Sequence, residues 1–300
     1  VDCTFGRGGH SRHLLSRLSE HGRLIAFDMD PVAVQVGQDL ASKDGRFAIM
    51  HRPFGDLADA VREPVAGVLL DTGVSTPQLR DASRGFSHRG RQDGPLDMRM
   101  DQEAGTPAAA WLQTVTAGEL AWVLHHCGHS LDPLLSERVA EGVLQAQRRL
   151  GGRFASAWQL AAAVREAAPD FSQAYPRLCL PQIVFVAIRT FLNQEMEQLD
   201  SVLEGAFERL RMHGRCVLIT FNKWEPAAVR RFLRDHEEPG PALAGRLAPE
   251  RLAQLYPLLA TGRGYAVRRA APPRRPSHAE VSANGRSRSA LLHVLEKVPR

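Results

Sequence analysis

Short apolar runs separated by polar residues mark the first third of the chain and predict buried strands. These runs fall at 24–27, 47–50 and 67–70. Helical patterns lie among them at 12–20 and 31–42, and Pro31 suits the first turn of the second helix. Alternation of strands and helices in this manner is typical of a doubly wound parallel sheet.

Acidic residues stand at three of the places where predicted strands end. They are Asp2, Asp28 and Asp71. In open α/β sheets, ligands bind in the crevice outside the carboxyl ends of the strands. The pattern therefore predicts a binding site formed by the loops that follow these strands.

The pattern becomes helical after residue 105. Helices are predicted at 108–124, 134–149 and 157–168. The last part of the chain predicts an amphipathic helix at 182–212, a strand at 216–221, a helix at 225–235, an exposed linker at 272–276 and a final edge strand at 291–298. We therefore predict an α/β domain formed by 1–104 and 181–300, interrupted by an all-helical domain at 105–180.

The composition is that of a chain with a substantial core, since 44% of its residues are apolar. No stretch approaches the roughly 20 apolar residues that a membrane span requires. The cysteines are far apart and form no CxxC pair, which argues against a zinc site and favours a reducing compartment. We predict no bound metal and a cytoplasmic location. Because Val1 falls inside an apparent strand, we interpret the chain as lacking an N-terminal segment, and a transit peptide there would instead imply a mitochondrion or plastid.

The net charge of +5 comes almost entirely from arginine, because the only lysines are Lys43, Lys223 and Lys297. The guanidinium fork suits phosphate, which favours a nucleic-acid partner. A GC-rich genome would raise the arginine content equally well. The charge therefore gives a nucleic-acid partner only mild support.

A glycine-rich segment, Phe-Gly-Arg-Gly-Gly-His at 5–10, follows one predicted strand and precedes a helix. Glycines in such a loop let the backbone approach a ligand closely and leave helix N–H groups free to bind it. Asp28, at the end of the next strand, is placed to accept both hydroxyls of a ribose. The alternative is that Asp28 caps the helix that begins at Pro31.

Two further loops combine small or charged residues in unusual ways. The segment 71–79 has small residues that leave room for a ligand, although it also fits a Ser/Pro turn before a helix cap. The run 93–101, Asp-Gly-Pro-Leu-Asp-Met-Arg-Met-Asp, alternates apolar anchors with charges that can be aimed into a cleft. Arg99 can bind a phosphate there, or it can pair with Asp93 or Asp101 as a structural ion pair.

These motifs together resemble the RsmH/MraW-type methyltransferases, which use S-adenosylmethionine to methylate the exocyclic N4 of a cytidine in small-subunit ribosomal RNA. The matching segments are 4–11, 51–54, 71–79, 187–189, 193–195 and 284–290. The resemblance implies a class I, Rossmann-like, S-adenosylmethionine-dependent methyltransferase sheet with an inserted helical domain that recognises the substrate. It implies that S-adenosylmethionine is contacted by Gly8, Gly9, His10, Asp28, Phe54, Asp71 and Gln78.

An acceptor on the amino N–H groups would help the reaction, because the lone pair of the cytosine amino nitrogen is delocalised into the ring and has to be localised as the bond forms. Asp97 and Asp71 are our candidates for that acceptor. Arg99, Arg286 and Arg288 are the candidate RNA contacts, with the helical insert holding the target jointly with the C-terminal arginines. The expected partner is small-subunit ribosomal RNA or the small ribosomal subunit, with the cytidine unstacked, and the oligomeric state stays open.

The chain departs from the family pattern after residue 101, at 182–185 and at 220–227. A basic residue and a histidine on the expected RNA side are replaced there. One alternative is therefore a catalytically weakened ribosome assembly factor that binds S-adenosylmethionine and RNA. Another is an amino-methyltransferase with a different target, although no Asp-Pro-Pro-Tyr-type motif supports DNA.

Overall fold

The computed structural model describes residues 1–89, 91–128, 131–236, 243, 245–256 and 264–299. The chain divides into two compact units, Val1–Gly73 with Glu197–Arg300, and Val74–Met196. The predicted insert at 105–180 lies wholly inside the second unit, which also includes 74–104 and 181–196. The assignment of 105–180 to substrate recognition stays a prediction.

A mixed sheet forms the centre of the first unit. Its strands are β1 (Leu24–Asp28), β2 (Phe47–His51), β3 (Val65–Asp71), β4 (Leu210–Thr220), β5 (Tyr265–Arg274) and β6 (Leu291–Pro299). β1 pairs with β2 in parallel, and β3, β4, β6 and β5 are neighbours in that order, with β3 and β4 parallel and the other pairings antiparallel. Asp2 forms parallel bridges to both Ala26 and Leu69 and so joins the two groups of strands.

The first unit also contains helices. They are α1 (Gly9–Leu15), α2 (Pro31–Ala41), α3 (Leu57–Ala60), α11 (Glu195–Arg209), α12 (Trp224–His236), α13 (Pro249–Leu255) and α14 (His278–Ala283). Leu70 of β3 and Leu218 of β4 are fully buried in one cluster with Phe207 of α11 and Val229 of α12. Burial of these side chains packs the strands against helices, and loops follow the strands at their ends.

Several local predictions are wrong. Residues 272–274 belong to β5 rather than to a linker, because prolines are tolerated on an edge strand. β6 is not the edge, since it lies between β4 and β5. The helix predicted at 182–212 is interrupted at Gln194, whose φ of 51° is left-handed and cannot continue a helix.

The second unit is helical. Its helices are α4 (Thr76–Arg80), α5 (Ala108–Thr114), α6 (Ala117–His126), α7 (Pro133–Arg149), α8 (Ala157–Ala167), α9 (Phe171–Ala174) and α10 (Leu180–Leu192). The helix predicted at 108–124 is split because Thr116 and Glu119 form a capping box that starts α6. Leu112, Leu160 and Ile188 are fully buried in a single core cluster of this unit.

The part of the chain that the structure describes contains no helix both long and apolar enough to cross a bilayer.

Candidate active site

The glycine-rich loop follows the bridging residue Asp2 and has a backbone that only glycine adopts readily. Gly6 and Gly8 have left-handed φ values of 57° and 76°. A Cβ at Gly8 would lie 2.8 Å from the ring of Phe5, so a side chain does not fit. A Cβ at Gly9 would meet nothing within 4 Å. The loop is thus closed around Gly8 and open in front of Gly9, where a ligand has room.

Asp28 connects the end of β1 to this loop. Its Oδ2 accepts a hydrogen bond from the Gly6 N–H at 2.7 Å, and its Oδ1 accepts one from the Asp30 N–H at 2.8 Å. Burial raises the pKa of Asp28, and the two backbone hydrogen bonds oppose that rise. A carboxylate has roughly four lone-pair positions, so Asp28 can still accept from two hydroxyls. The helix cap before Pro31 is Asp30 and not Asp28, because Asp30 accepts from the Val32 N–H.

Asp71, at the end of β3, faces the start of α1. Its Oδ2 lies 3.3 Å from His10 Nε2, and its backbone N–H donates to Thr4 Oγ1 at 2.8 Å. The hydrogen bond to Asp71 raises the pKa of His10. Asp71 Oδ1 is buried and has no hydrogen-bond partner among residues 1–89 or elsewhere in the described chain. A buried carboxylate oxygen without a donor is costly, so a ligand N–H or O–H is expected to reach it.

Phe54 is placed by a 3-10 turn, Phe54–Asp56, directly after β2. The turn is held to α11 because the Gly55 N–H donates to Gln198 Oε1 at 2.8 Å. Phe54 is half-buried against the core cluster that contains Leu57. Its contact with an adenine stays a prediction.

Gln78 lies in the second unit and forms a capping box with Ser75 at the start of α4. Its Oε1 accepts from both the backbone N–H and the hydroxyl of Ser75, at 2.7 and 2.9 Å. The turn and helix cap that we considered for segment 71–79 are therefore present. The cofactor contact of Gln78 stays a prediction, and its carbonyl oxygen serves the cap.

Asp97 and Arg99 form a two-pronged ion pair within the second unit. Asp97 Oδ1 accepts from Arg99 Nε at 2.9 Å and Oδ2 accepts from Nη2 at 2.8 Å, with the side chains only 12% and 17% exposed. Burial raises the pKa of Asp97, but the hydrogen bonds from Arg99 outweigh it and leave the pKa below its ordinary value. The ion pair of Arg99 is therefore with Asp97, an acid that the sequence analysis did not name as its partner, while the charge of Asp101 also acts on Arg99. The catalytic role of Asp97 and the phosphate role of Arg99 stay predictions.

Arg286 and Arg288 lie in the first unit, in the 3-10 turn Gly285–Ser289. Asn284 starts that turn by accepting from the Arg286 N–H at 3.2 Å. Both arginine side chains are exposed, and neither forms an ion pair with a described acidic residue. They are therefore free to meet a phosphate, and their contact with RNA stays a prediction.

Sequence reasoning missed the contacts that three residues make in these sites. His10 was expected to contact the cofactor, but nothing indicated its pairing with Asp71. Arg84 and Asn193 hydrogen-bond the backbone of the 93–101 run. Asn193 lies in segment 193–195, which resembles a family motif, and that was the only signal for it. The contact itself joins residues more than 90 positions apart, so no local pattern indicates it.

The comparisons with known proteins identify the family of the chain. The MraW methylase family matches residues 1–298. Ribosomal RNA small subunit methyltransferase H of Azoarcus sp. (strain BH72) is 44% identical, over 99% of this chain and 90% of that protein. The protein of the same name from Shewanella amazonensis (strain ATCC BAA-1098 / SB2B) is 41% identical, over 100% of this chain and 91% of that protein.

A solved structure of an rRNA methylase from Streptococcus thermophilus also resembles the chain, with a TM-score of 0.38 and 12% identity over 99% of this chain and 84% of that chain. The family assignment depends on the sequence matches. They confirm the predicted fold class, a class I methyltransferase sheet with an inserted helical segment. The chain belongs to the MraW methylase family and is a methyltransferase that uses S-adenosylmethionine.

Proposed function

We propose that this protein transfers a methyl group from S-adenosylmethionine to the exocyclic N4 of a cytidine in small-subunit ribosomal RNA. The observation that carries the proposal is the nearly full-length identity of 41–44% to proteins named ribosomal RNA small subunit methyltransferase H. The strand-end carboxylates Asp28 and Asp71 support it, because both retain acceptor capacity for a ligand.

The donor is held by residues of the first unit that fit it chemically. The open side of the loop at Gly9 would give it room, Asp28 would accept from its ribose hydroxyls, and Asp71 Oδ1 would accept one of its N–H or O–H groups. Phe54 would offer an aromatic surface for its adenine, and His10 belongs to the same predicted set. Gln78, the remaining member of that set, lies in the second unit. When bound, the donor supplies a methyl group made electrophilic by the adjoining positive sulfur.

Asp97 is the proposed acceptor for the amino group of the cytidine. As N4 forms its new bond, positive charge develops on the nitrogen, and an ionised carboxylate stabilises that charge. The ion pair with Arg99 keeps Asp97 ionised at neutral pH, because it lowers the pKa of the carboxyl. Asp97 Oδ2 accepts a hydrogen bond from the amino N–H in place of the long one that Gln102 Nε2 donates to it at 3.4 Å, and the surplus proton then leaves to water. Asp71 is the second candidate for this role.

The RNA partner is recognised through phosphate and through an unstacked base. Arg286 and Arg288 are exposed cations that suit phosphate, and Arg99 is a further predicted contact. The target cytidine must leave its stack to be methylated, so we expect a single-stranded or loop segment. The location of the protein in the cytoplasm stays a prediction.

The two departures from the family pattern have local structural explanations. Ile183 and Val184 are buried in α10, where they contribute to the helical core. Glu225 is fully buried and accepts from the N–H groups of Phe221 and Asn222 at 2.6 and 3.0 Å, which caps the start of α12. Neither departure removes one of the carboxylates discussed above. Measured methyl-transfer turnover therefore decides between an active methyltransferase and the assembly-factor alternative.

The direct test is mass spectrometry of small-subunit ribosomal RNA nucleosides from cells with and without the protein. We expect N4-methylated cytidine to disappear without it and to return with the wild type or Asp101→Asn, a matched change in the same run. Asp97→Asn should not restore it. Unchanged N4-methylcytidine in cells that lack the protein would refute the proposed target. Restored ribosome assembly with Asp97→Asn, without methylation, would favour the assembly factor.

A further inference from the structure

Met98 has a backbone conformation that its side chain does not favour. Its φ is 64°, in the left-handed region, and its side chain is fully buried. Residues other than glycine, asparagine and aspartate seldom adopt this conformation, and it persists only where the surroundings enforce it. Met98 stands between Asp97 and Arg99, so the conformation belongs to the segment that carries the ion pair.

The side-chain amide of Asn193 bridges this unusual turn. Its Nδ2 donates to the Met98 carbonyl at 2.8 Å, and its Oδ1 accepts from the Met100 N–H at 2.7 Å. The same Nδ2 also donates to the Arg189 carbonyl at 2.8 Å, at the end of α10. One planar group therefore binds backbone atoms on both sides of Arg99 and ties them to a helix.

The end of α10 that carries Asn193 is itself braced. Arg189 and Glu195 form a buried ion pair, with Nε to Oε1 at 2.6 Å and Nη2 to Oε2 at 2.7 Å. On the loop side, Arg84 Nη2 donates to the carbonyls of Arg99 and Met100 at 3.0 and 2.7 Å. The turn is thus held from two directions by buried side chains.

The left-handed turn brings Arg99 back onto Asp97. The Arg99 N–H donates to Asp97 Oδ1 at 3.0 Å, and Arg99 Nε donates to the same oxygen at 2.9 Å. Relaxation of Met98 to a negative φ would reorient the peptide between these residues and separate the pair. Asp97 would then lose the hydrogen bonds from Arg99 that lower its pKa, while the burial that raises the pKa and the weaker hydrogen bond from Gln102 would remain.

We propose that Asn193 is a positioning residue, whose amide fixes the turn at Met98 and thereby aims Asp97 at the amino group that is methylated. The inference rests on the proposed function, because it concerns the carboxylate that this function assigns to the reaction. An asparagine is required because one bond needs a donor and the other an acceptor. Aspartate supplies only the acceptor, and alanine supplies neither.

The test compares Asn193→Ala and Asn193→Asp with the wild type in steady-state kinetics across pH. For Asn193→Ala we expect kcat to fall roughly 100-fold, the order of loss that a misplacement of 1 Å causes, with KM for S-adenosylmethionine unchanged. The acid limb of the pH–rate profile should move to higher pH, since Asp97 then ionises less readily. The kcat of Asn193→Asp should lie between those of the wild type and Asn193→Ala. The aspartate variant should still fold if the alanine variant does not.

Two controls separate positioning from general stability. Thr190→Val changes a buried hydroxyl on the same helix that has no hydrogen-bond partner in the described chain, and should leave kinetics unchanged. Ile188→Ala removes a fully buried side chain from α10, and should lower Tm without moving the pH profile. If Asn193→Ala behaves like Ile188→Ala, with a lower Tm and an unshifted profile, Asn193 is only structural and the inference fails.

Asp97→Asn distinguishes that failure from failure of the proposed catalytic role. If Asp97→Asn is slow and the Asn193 variants are not, only the positioning role is overturned. If Asp97→Asn turns over as fast as the wild type, Asp97 is not the acceptor, and both statements are overturned together.

Discussion

Two aspartates that the sequence presents as similar candidates differ sharply in their surroundings. Asp71, at the end of a strand in the first unit, has one oxygen beside His10 and one buried oxygen without a partner in the described chain. Asp97, in a loop of the second unit, has both oxygens occupied by Arg99. The first carboxylate is ready to accept from a ligand, whereas the second is held ionised and in place.

The difference indicates a division of labour, in which one carboxylate binds the methyl donor and the other acts on the amino group that is methylated. A carboxylate with an unpaired buried oxygen gains from any donor that a ligand supplies, so it favours binding. A carboxylate that is held in place by a guanidinium group does not have to reorient during a reaction. It is therefore suited to stabilise charge that develops in the transition state. We therefore propose that the strand ends of the first unit bind the donor and that the loop of the second unit binds the amino group.

The largest effect on the methylation rate is expected for Asp97→Asn, which keeps the shape of the side chain and removes its charge. Single-turnover methylation should slow roughly 100-fold, the lower range for a positioned acid–base group. Affinity for S-adenosylmethionine should stay the same, as expected for an interaction used in the transition state. Asp101→Asn is the control in the same loop. Unaltered single-turnover rates would show that Asp97 is structural, and the proposed difference in role between Asp71 and Asp97 would be wrong.

Asp28→Ala should have the next largest effect, and it acts on binding. Loss of a charge-assisted hydrogen bond costs about 1.5–3 kcal/mol, so affinity for S-adenosylmethionine should fall roughly 10- to 100-fold. Asp39→Ala removes an exposed acid from α2 and should bind normally. Calorimetry that shows equal affinity for Asp28→Ala and the wild type would reject the ribose assignment.

The partners of the two aspartates also differ in how they respond to pH. Asp71 raises the pKa of His10, so their attraction is fully present below the ordinary histidine pKa of about 6.5 and is lost as pH rises through the higher folded value. Arg99 keeps its charge throughout. NMR titration should place the His10 pKa above that of an exposed histidine and should show it lower in Asp71→Asn. An identical His10 pKa in both proteins would mean that the pair does not form in solution.

The smallest expected effect concerns the C-terminal arginines. Arg286→Ala with Arg288→Ala should flatten the slope of log K against log salt for single-stranded RNA by roughly 1.4, at about 0.7 per charge. The matched control is Arg149→Ala with Arg231→Ala, because those arginines are exposed but already paired with Glu166 and Asp200. Equal slopes for the two double variants would exclude a phosphate role for Arg286 and Arg288.

Local patterns were enough to predict the strand-end carboxylates. Asp28 and Asp71 follow apolar runs that become β1 and β3, and the glycine spacing marks the loop at Gly8. Each of these signals lies within a few residues of the feature that it predicts. Resemblance to a family then supplied the cofactor, which no spacing alone would have identified.

The contacts that distinguish the two sites are not local, and the sequence pattern missed them. His10 reaches Asp71 across 61 positions, and Asn193 reaches Met98 across 95. Arg99 has acidic residues on both sides in the run 93–101, and only the left-handed turn at Met98 selects Asp97. β6 was expected at the edge because the sequence pattern predicted no strand at 265–274, the segment that pairs with it.

The most direct measurement is calorimetric binding of S-adenosylmethionine to the wild type, Asp71→Asn and Asp97→Asn under identical conditions. The division of labour predicts that Asp71→Asn binds roughly 10-fold more weakly, since one bond to a charged group is worth about 1.5–3 kcal/mol. It predicts that Asp97→Asn binds as tightly as the wild type. Equal losses in both variants, or a loss confined to Asp97→Asn, would contradict the assignment of the donor to the strand ends.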